Sequence, residues 1–232
     1  MTTSPSVSIT LKRGVQFFLL AFVVLLAFHL VALFLIHVIH YDDAPRFVEF
    51  FHFNLEDNAP TLYSVLLILV GAAACFAVSR QDVPDQKYWL ALSIIFSYLA
   101  LDELVSIHER VGVLIELTFS TSGFFHNAWI IPGAILVLVI GILFLGWLLR
   151  LPKRIRLGFI ISAILFISGV ILLEGLGGWR DSSVGHDLVY DLIVTAEESL
   201  EMLGVITFSY FALKYLLAES DGNQVELRLV DG

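Results

Sequence analysis

Six long apolar runs constrain this chain more than any other feature. They cover positions 14–39, 61–79, 88–110 (or on to 118), 127–149, 157–178 and 187–217. Each is near the ~20 residues that an α-helix needs to cross a bilayer. Hydrophobic residues make up 58% of the chain and charged residues only 15%, with a mean hydropathy of +0.89. That composition excludes an ordinary soluble domain. The expected fold is all-α: a six-helix transmembrane bundle over 14–217, with a short N-terminus at 1–13 and a polar tail at 218–232. The first run is too long for a signal-peptide core and lacks a small-residue cleavage site, so it reads as a retained span. Pro60, Pro84, Pro132 and Pro152 fall at or near span ends, where proline acts as a boundary.

Orientation follows from the cations. With the N-terminus inside, Lys12, Arg13, Arg80, Lys87, Arg150, Lys153, Arg154, Arg156, Lys214 and Arg228 are all cytoplasmic, and only Arg46, Arg110 and Arg180 lie outside. That bias predicts N-in, C-in, with both termini cytoplasmic. Trp89, Trp147 and Tyr215 then sit near the inner interface as aromatic anchors. Cys75 is the single cysteine, so no disulfide forms within the chain. The net charge of -9 is unsuited to nucleic acid. Its source is the outer side. Asp42, Asp43, Glu49, Glu56 and Asp57 fall in the first outer loop, and most other acids fall in the outer halves of spans three, five and six or just beyond them.

Asp102 lies thirteen residues after Trp89, and Glu201 lies thirteen before Lys214. At a rise of ~1.5 Å per residue both stand roughly 20 Å above the inner interface. His29 in span one and Glu174 in span five reach similar heights. At ~100° per residue, Asp102, Ser106, Glu109 and Glu116 form one stripe, flanked by Glu103 and His108. Asp187, Asp191, Glu198 and Glu201 form a second, with Glu197 beside it. Intramembrane charges face the bundle interior or a wet cavity, so the simplest arrangement sets the stripes opposite each other. Arg110 and Arg180 are the only nearby cations. Acids that face each other without bases repel, hold protons or bind a cation. A divalent metal relieves the repulsion, and carboxylate with imidazole is the ligand set of zinc, iron or manganese. The expected ligands are Asp102, His108, Glu109, Glu174, Glu198 and Glu201. Ser106, Glu103 and Glu197 are the expected catalytic groups, the serine orienting water or substrate and a glutamate acting as base.

Blander readings stand beside these. Glu103 shares a face with Arg110 and can be its ion-pair partner. His29 reads as a hydrogen-bonded core residue. His37, His40 and His52 read as solvated interface residues, and His126 and His186 as residues that begin helices. The "FVEFFHF" run suits an interfacial amphipathic segment.

"LALDELVSIHERVG" with "AEESLEMLG" resembles a pattern in uncharacterised bacterial multi-span membrane proteins, LDE-x-x-S-x-HE with EE-x-LEM-x-G. The resemblance marks Asp102, Glu103, Ser106, His108, Glu109, Glu197, Glu198, Glu201 and Gly204 and implies the inner (cytoplasmic) membrane of a bacterium. A looser similarity is to the membrane hydrolases that include alkaline ceramidases and progestin/adiponectin-type receptors, whose zinc site uses Ser, Asp and His. Ser106 and His108 match one of their motifs, but the chain lacks their paired histidines at i and i+4 in a late span. Ferritin-like proteins use Glu-x-x-His pairs. Here His108 is five residues after Glu103, off-face unless the helix is distorted, whereas Glu198 and Glu201 have workable spacing.

Three function classes follow. The first is a metal-dependent membrane enzyme, a hydrolase or an oxidase, acting on a lipid-like substrate among membrane lipids. The second is a cation or proton transporter or channel, against which the inner halves of the spans are almost purely apolar. The third is a sensor or structural subunit with a metal-free polar network.

Overall fold

The computed structural model describes residues 6–40, 45–219 and 224–228. Asp42, Asp43 and much of the polar tail lie outside them. Six helical segments are long and apolar enough to cross a membrane: Leu11–Ile39, Ala59–Ser79, Gln86–Val105, Ile130–Arg150, Lys153–Val184 and Leu188–Ala218. The chain is therefore an all-α, multi-pass membrane protein. A short ribbon, β1 (Ser6–Thr10) with β2 (Gln224–Arg228), pairs antiparallel with Thr10 opposite Gln224. An even number of spans returns the chain to the side where it began, which lets these two segments meet.

α1 (Leu11–Phe34) runs on into a π turn at Leu35–Ile39 and ends at His40, whose φ of 51° is left-handed. A short α2 (Pro45–Phe51) follows. α3 (Ala59–Ser79) starts sharply because Asn58 Oδ1 accepts from the Thr61 backbone N–H at 3.1 Å and Pro60 sits in the first turn. α4 (Gln86–Val105) is followed by α5 (Ile107–Glu116), and α6 is Ile130–Arg150. α7 (Lys153–Ile167) passes through a π segment at Ser168–Leu173 into α8 (Glu174–Val184). α9 (Leu188–Glu219) is the longest helix.

α3 is the hub and packs against both α4 and α9, while α7 and α1 also pack on α9. The bundle has two ends. We call the end bearing Ser106 and Glu174 the upper end. The lower end is closed by a stack of aromatic rings: Trp89 against Tyr215 at 4.7 Å and Trp147 at 5.1 Å, and Phe159 against Phe208 at 4.8 Å. Above it Phe22, Tyr63, Leu67, Ile68, Met202 and Val205 form a second apolar layer. α7 crosses α9 closely at Gly204, where a Cβ would stand 2.9 Å from the Phe166 backbone nitrogen. Ser162 donates to the Gly204 carbonyl at 2.8 Å. In lipid, close backbone approach and interhelical hydrogen bonds supply the association that hydrophobicity supplies in water.

Candidate functional site

The third span does not continue through the motif that flags it. α4 stops at Val105, and Ser106 takes a left-handed conformation with φ 49° and ψ 52°. A serine held there costs on the order of 1–3 kcal/mol and persists only where its surroundings demand it. The break orphans the first N–H groups of α5. Asp102 supplies the acceptors: Oδ1 takes the His108 backbone N–H at 2.9 Å, and Oδ2 takes His108 Nδ1 at 2.8 Å. If Asp102 accepts at Oδ2, Nδ1 carries the hydrogen, and in the neutral ring Nε2 keeps a lone pair. The ring is held on its face by Trp129, with centroids 4.7 Å apart.

This corrects the expectation of one continuous stripe through spans three and beyond. Both oxygens of Asp102 are engaged by His108. Glu109 and Glu116 leave with α5, and both are exposed. Glu109 stays within charge–charge range of Glu56 and His108. Arg110 is exposed on α5, and no ion pair joins it to Glu103 among the described residues.

On the far wall the π segment sets the register. At Gly169 a Cβ would meet Glu201 Cγ at 2.7 Å and the Glu197 carbonyl oxygen at 2.8 Å. Glycine there lets the fifth span lie directly on the α9 backbone at the acidic motif. The π turn then aims Glu174 inward, where its Oε1 accepts from Asn127 Nδ2 at 2.7 Å and Trp129 Nε1 at 3.1 Å. Glu197 lies within charge–charge range of Glu174, Glu198 and Glu201. Glu197 is buried.

The acids of α4 and α9 meet beside α3, not face to face as the stripes suggest. Glu103 and Glu201 line one small cavity with Ser64, Leu67, Phe166, Met202 and Val205. Ser64, from the second span, faces the same cavity as Glu103. Glu198 is within charge–charge range of Glu103, Glu56 and Glu174, and Glu201 of Glu198 and Glu103. Thus Glu103, Glu174, Glu197, Glu198 and Glu201 converge from three spans, with Ser106, His108 and Glu109 at their upper edge. Among the described residues the arginine–carboxylate pairs are Arg150 with Asp85 and Arg180 with Asp187, both away from the cluster. Arg180 and the Tyr190 backbone N–H hold the Asp187 carboxyl down at about 2, so this arginine is already committed.

Glu56 is a member that no periodicity could flag. It sits on the loop between α2 and α3, exposed, and lies within charge–charge range of His108, Glu103 and Glu198. Desolvation beside the cluster and the Glu109 carboxylate push its carboxyl above the ordinary range. Its loop is pinned by imidazoles. His29 is fully buried; its Nδ1 accepts the Phe53 N–H at 3.2 Å and its Nε2–H donates to Thr195 Oγ1 at 2.8 Å. Thr195 passes its own proton to the Asp191 carbonyl at 2.6 Å. His29 is thus a satisfied neutral core residue. Replacing it with leucine leaves the Phe53 N–H without an acceptor, a loss of roughly 1–3 kcal/mol. Asparagine, which keeps an acceptor near Nδ1, should recover part of it; equal unfolding midpoints for wild type and His29→Leu would count against this latch.

His52 and His37 depart from the solvated reading. His52 is buried, and its Nδ1 accepts the Asn54 N–H at 3.2 Å. Asp191 pairs with His37 Nε2 at 2.6 Å and stands 3.7 Å from His52 Nε2. His40 is exposed, as expected. His126 follows a short 3-10 turn instead of opening α6, and with His186 it flanks Asp181 at 3.3 and 3.2 Å on the upper surface. Among the described residues, no group of three or more His, Cys, Asp or Glu side chains stands ready to hold a metal ion as placed.

Fold and site define a six-span membrane protein with a carboxylate–histidine cluster near one end of its bundle. The chain belongs to a family described as a domain of unknown function (DUF8692), whose model matches residues 15–215. No curated protein and no solved structure matches it.

Proposed function

We propose that the upper cluster binds a divalent cation and that the protein is a membrane hydrolase acting on a lipid-like substrate in the outer leaflet of a bacterial cytoplasmic membrane. The cation bias among the loops supports an N-in, C-in orientation, which makes the upper end external. One observation carries the reading: Asp102 engages Nδ1 of His108 and leaves Nε2, the ligating nitrogen of a neutral ring, amid Glu56, Glu109 and Glu174. A carboxylate behind an imidazole is the usual outer-shell support of a metal-ligating histidine. Asp102 therefore acts as an orienting group. His108, Glu174, Glu198 and Glu201 are the ligands of choice, drawn inward on binding, with Glu109 at the rim. Zinc, iron or manganese suits this oxygen-rich set with one imidazole.

Such a cation supplies water activation for hydrolysis, or oxygen activation if it is iron. Ser106 and Glu103, with Glu197 behind them, are placed to orient water and accept its proton. Depth favours a lipid-like substrate. Thr195 is tied through His29 to Phe53 in the loop before α3, and Glu198 and Glu201 follow three and six residues on, roughly 5 and 9 Å further along α9. The aromatic closure of the lower end favours catalysis over transport, because among the described residues the core below the cavity is the apolar stack around Trp89, Trp147 and Phe159.

The burial of Glu197 near Glu174, Glu198 and Glu201 supports a second reading, a proton-sharing network that needs no metal. Metal analysis of protein purified into lipid nanodiscs separates the two. A stoichiometric divalent cation is expected, with lipid hydrolysis lost on chelation and regained on its return. Protein that takes up none of the three metals on titration would leave only the second reading.

A further inference from the structure

The imidazole and the carboxylates of the cluster are mounted differently. Glu103 stands on α4, Glu197, Glu198 and Glu201 on α9, and Glu174 where the π segment of the fifth span runs into α8, all elements that pack into the bundle. His108 stands on α5, a ten-residue helix of which only Gly112 is buried. α5 is attached through Ser106, whose left-handed backbone breaks the helical ladder. Three ties hold it down: the two Asp102–His108 hydrogen bonds, the His108 ring on Trp129, and Gly112 seated against Trp129. Its other side is bare and mostly apolar, with Glu109 and Arg110 among its exposed residues. Val113, Leu114 and Leu117 are exposed, Leu117 at 79%, and Phe119 continues the edge at 65%. A short helix with such an edge beside the end of a span belongs in the acyl–headgroup boundary, not in water.

We infer that α5 is a lid, hinged at Ser106, that carries His108 onto the carboxylate cluster when closed and admits an amphiphile from the outer leaflet when it swings away. Closure then assembles the site, because among the described residues the imidazole at the cluster arrives with the lid. Water reaches the carboxylates only in the open form, and the closed form is the one competent for chemistry. The substrate class named here rests on the hydrolytic reading above. The motion does not.

The geometry offers its own lock. A Cβ at Gly112 would lie 3.5 Å from Trp129 Cβ, within the separation of roughly 3.5–4.5 Å that a disulfide spans. The experiment uses the full chain in nanodiscs with Gly112→Cys, Trp129→Cys and Cys75→Ala, after chelation, so that metal content plays no part. Dicyclohexylcarbodiimide, a lipid-soluble carboxyl reagent, is added, and adducts on Glu103, Glu198 and Glu201 are followed by mass spectrometry. The oxidised protein should label at least about tenfold more slowly than the reduced one, and reductant should restore the rate. Equal rates, no labelling in either form, or failure of the pair to oxidise would each overturn the lid. A second variant guards against misfolding of the first. Asp102→Asn weakens the tie without altering shape and should speed labelling several-fold over wild type; an unchanged rate counts against the hinge as strongly.

Discussion

Glutamine at both Glu198 and Glu201 is expected to abolish stable cation binding, weakening it by on the order of 100-fold or more, since loss of even an outer-shell partner costs 10–100-fold. Glutamine keeps shape and hydrogen-bonding capacity and removes only charge. The two positions are three residues apart on α9, on the face turned to Glu103 and the cavity. Removing both leaves Glu103, Glu174 and His108 too dispersed to replace them. Thermal unfolding in detergent reads the outcome in either direction. A ligand that binds only the folded state stabilises by about 2.7 kcal/mol at a hundredfold excess over Kd. Wild type should therefore gain a higher midpoint on addition of zinc, iron or manganese, and the double variant should not. If the cluster is a metal-free network, none of the three metals should raise the wild-type midpoint, an outcome that sinks the metal reading.

The second large effect is at Gly169. Alanine there places a methyl group 2.8 Å from the Glu197 carbonyl oxygen and 2.7 Å from Glu201 Cγ. The oxygen is backbone and cannot turn aside, so the fifth span must move off α9. Overpacking of this kind costs about 1–3 kcal/mol. The displacement falls on the turn that aims Glu174, so cation binding or labelling at Glu197 and Glu201 should change along with stability. Gly141, where an added methyl group would meet nothing within 4 Å, is the control; alanine there should leave both unchanged. If Gly169→Ala behaves like Gly141→Ala, the fifth span does not set the register of the acidic motif.

The parts of this molecule that can be read without coordinates are those whose energetics are local. A run of apolar residues favours the bilayer whatever its neighbours do, so the six spans lie near their expected limits. The spacing of Glu198 and Glu201 lies within one unbroken helix, and the two acids stay together. Glu109 and Glu116 fall on the face of Asp102 only when rotation is summed through Ser106. Serine is not a residue that announces a left-handed turn as glycine or asparagine does, so the sum runs past the break. Glu56 is out of reach for another reason: its loop has no period, and it is placed by histidines from distant positions. His52 reads as solvated because a loop histidine ordinarily is; it is buried because Asp191 and the Asn54 N–H give both nitrogens something to face.

What the sequence determined by itself is the all-helical membrane fold and an excess of unpaired acids toward one end of the bundle. Both follow from the cost of placing each residue in hydrocarbon, which adds up position by position. What the tertiary structure decided is which acids meet. Angular position along a helix accumulates, so the π segment at Ser168–Leu173 and the break at Ser106 re-aim everything beyond them. Such interruptions survive only where packing against other spans, at Gly169 and Trp129, makes up for the lost regularity.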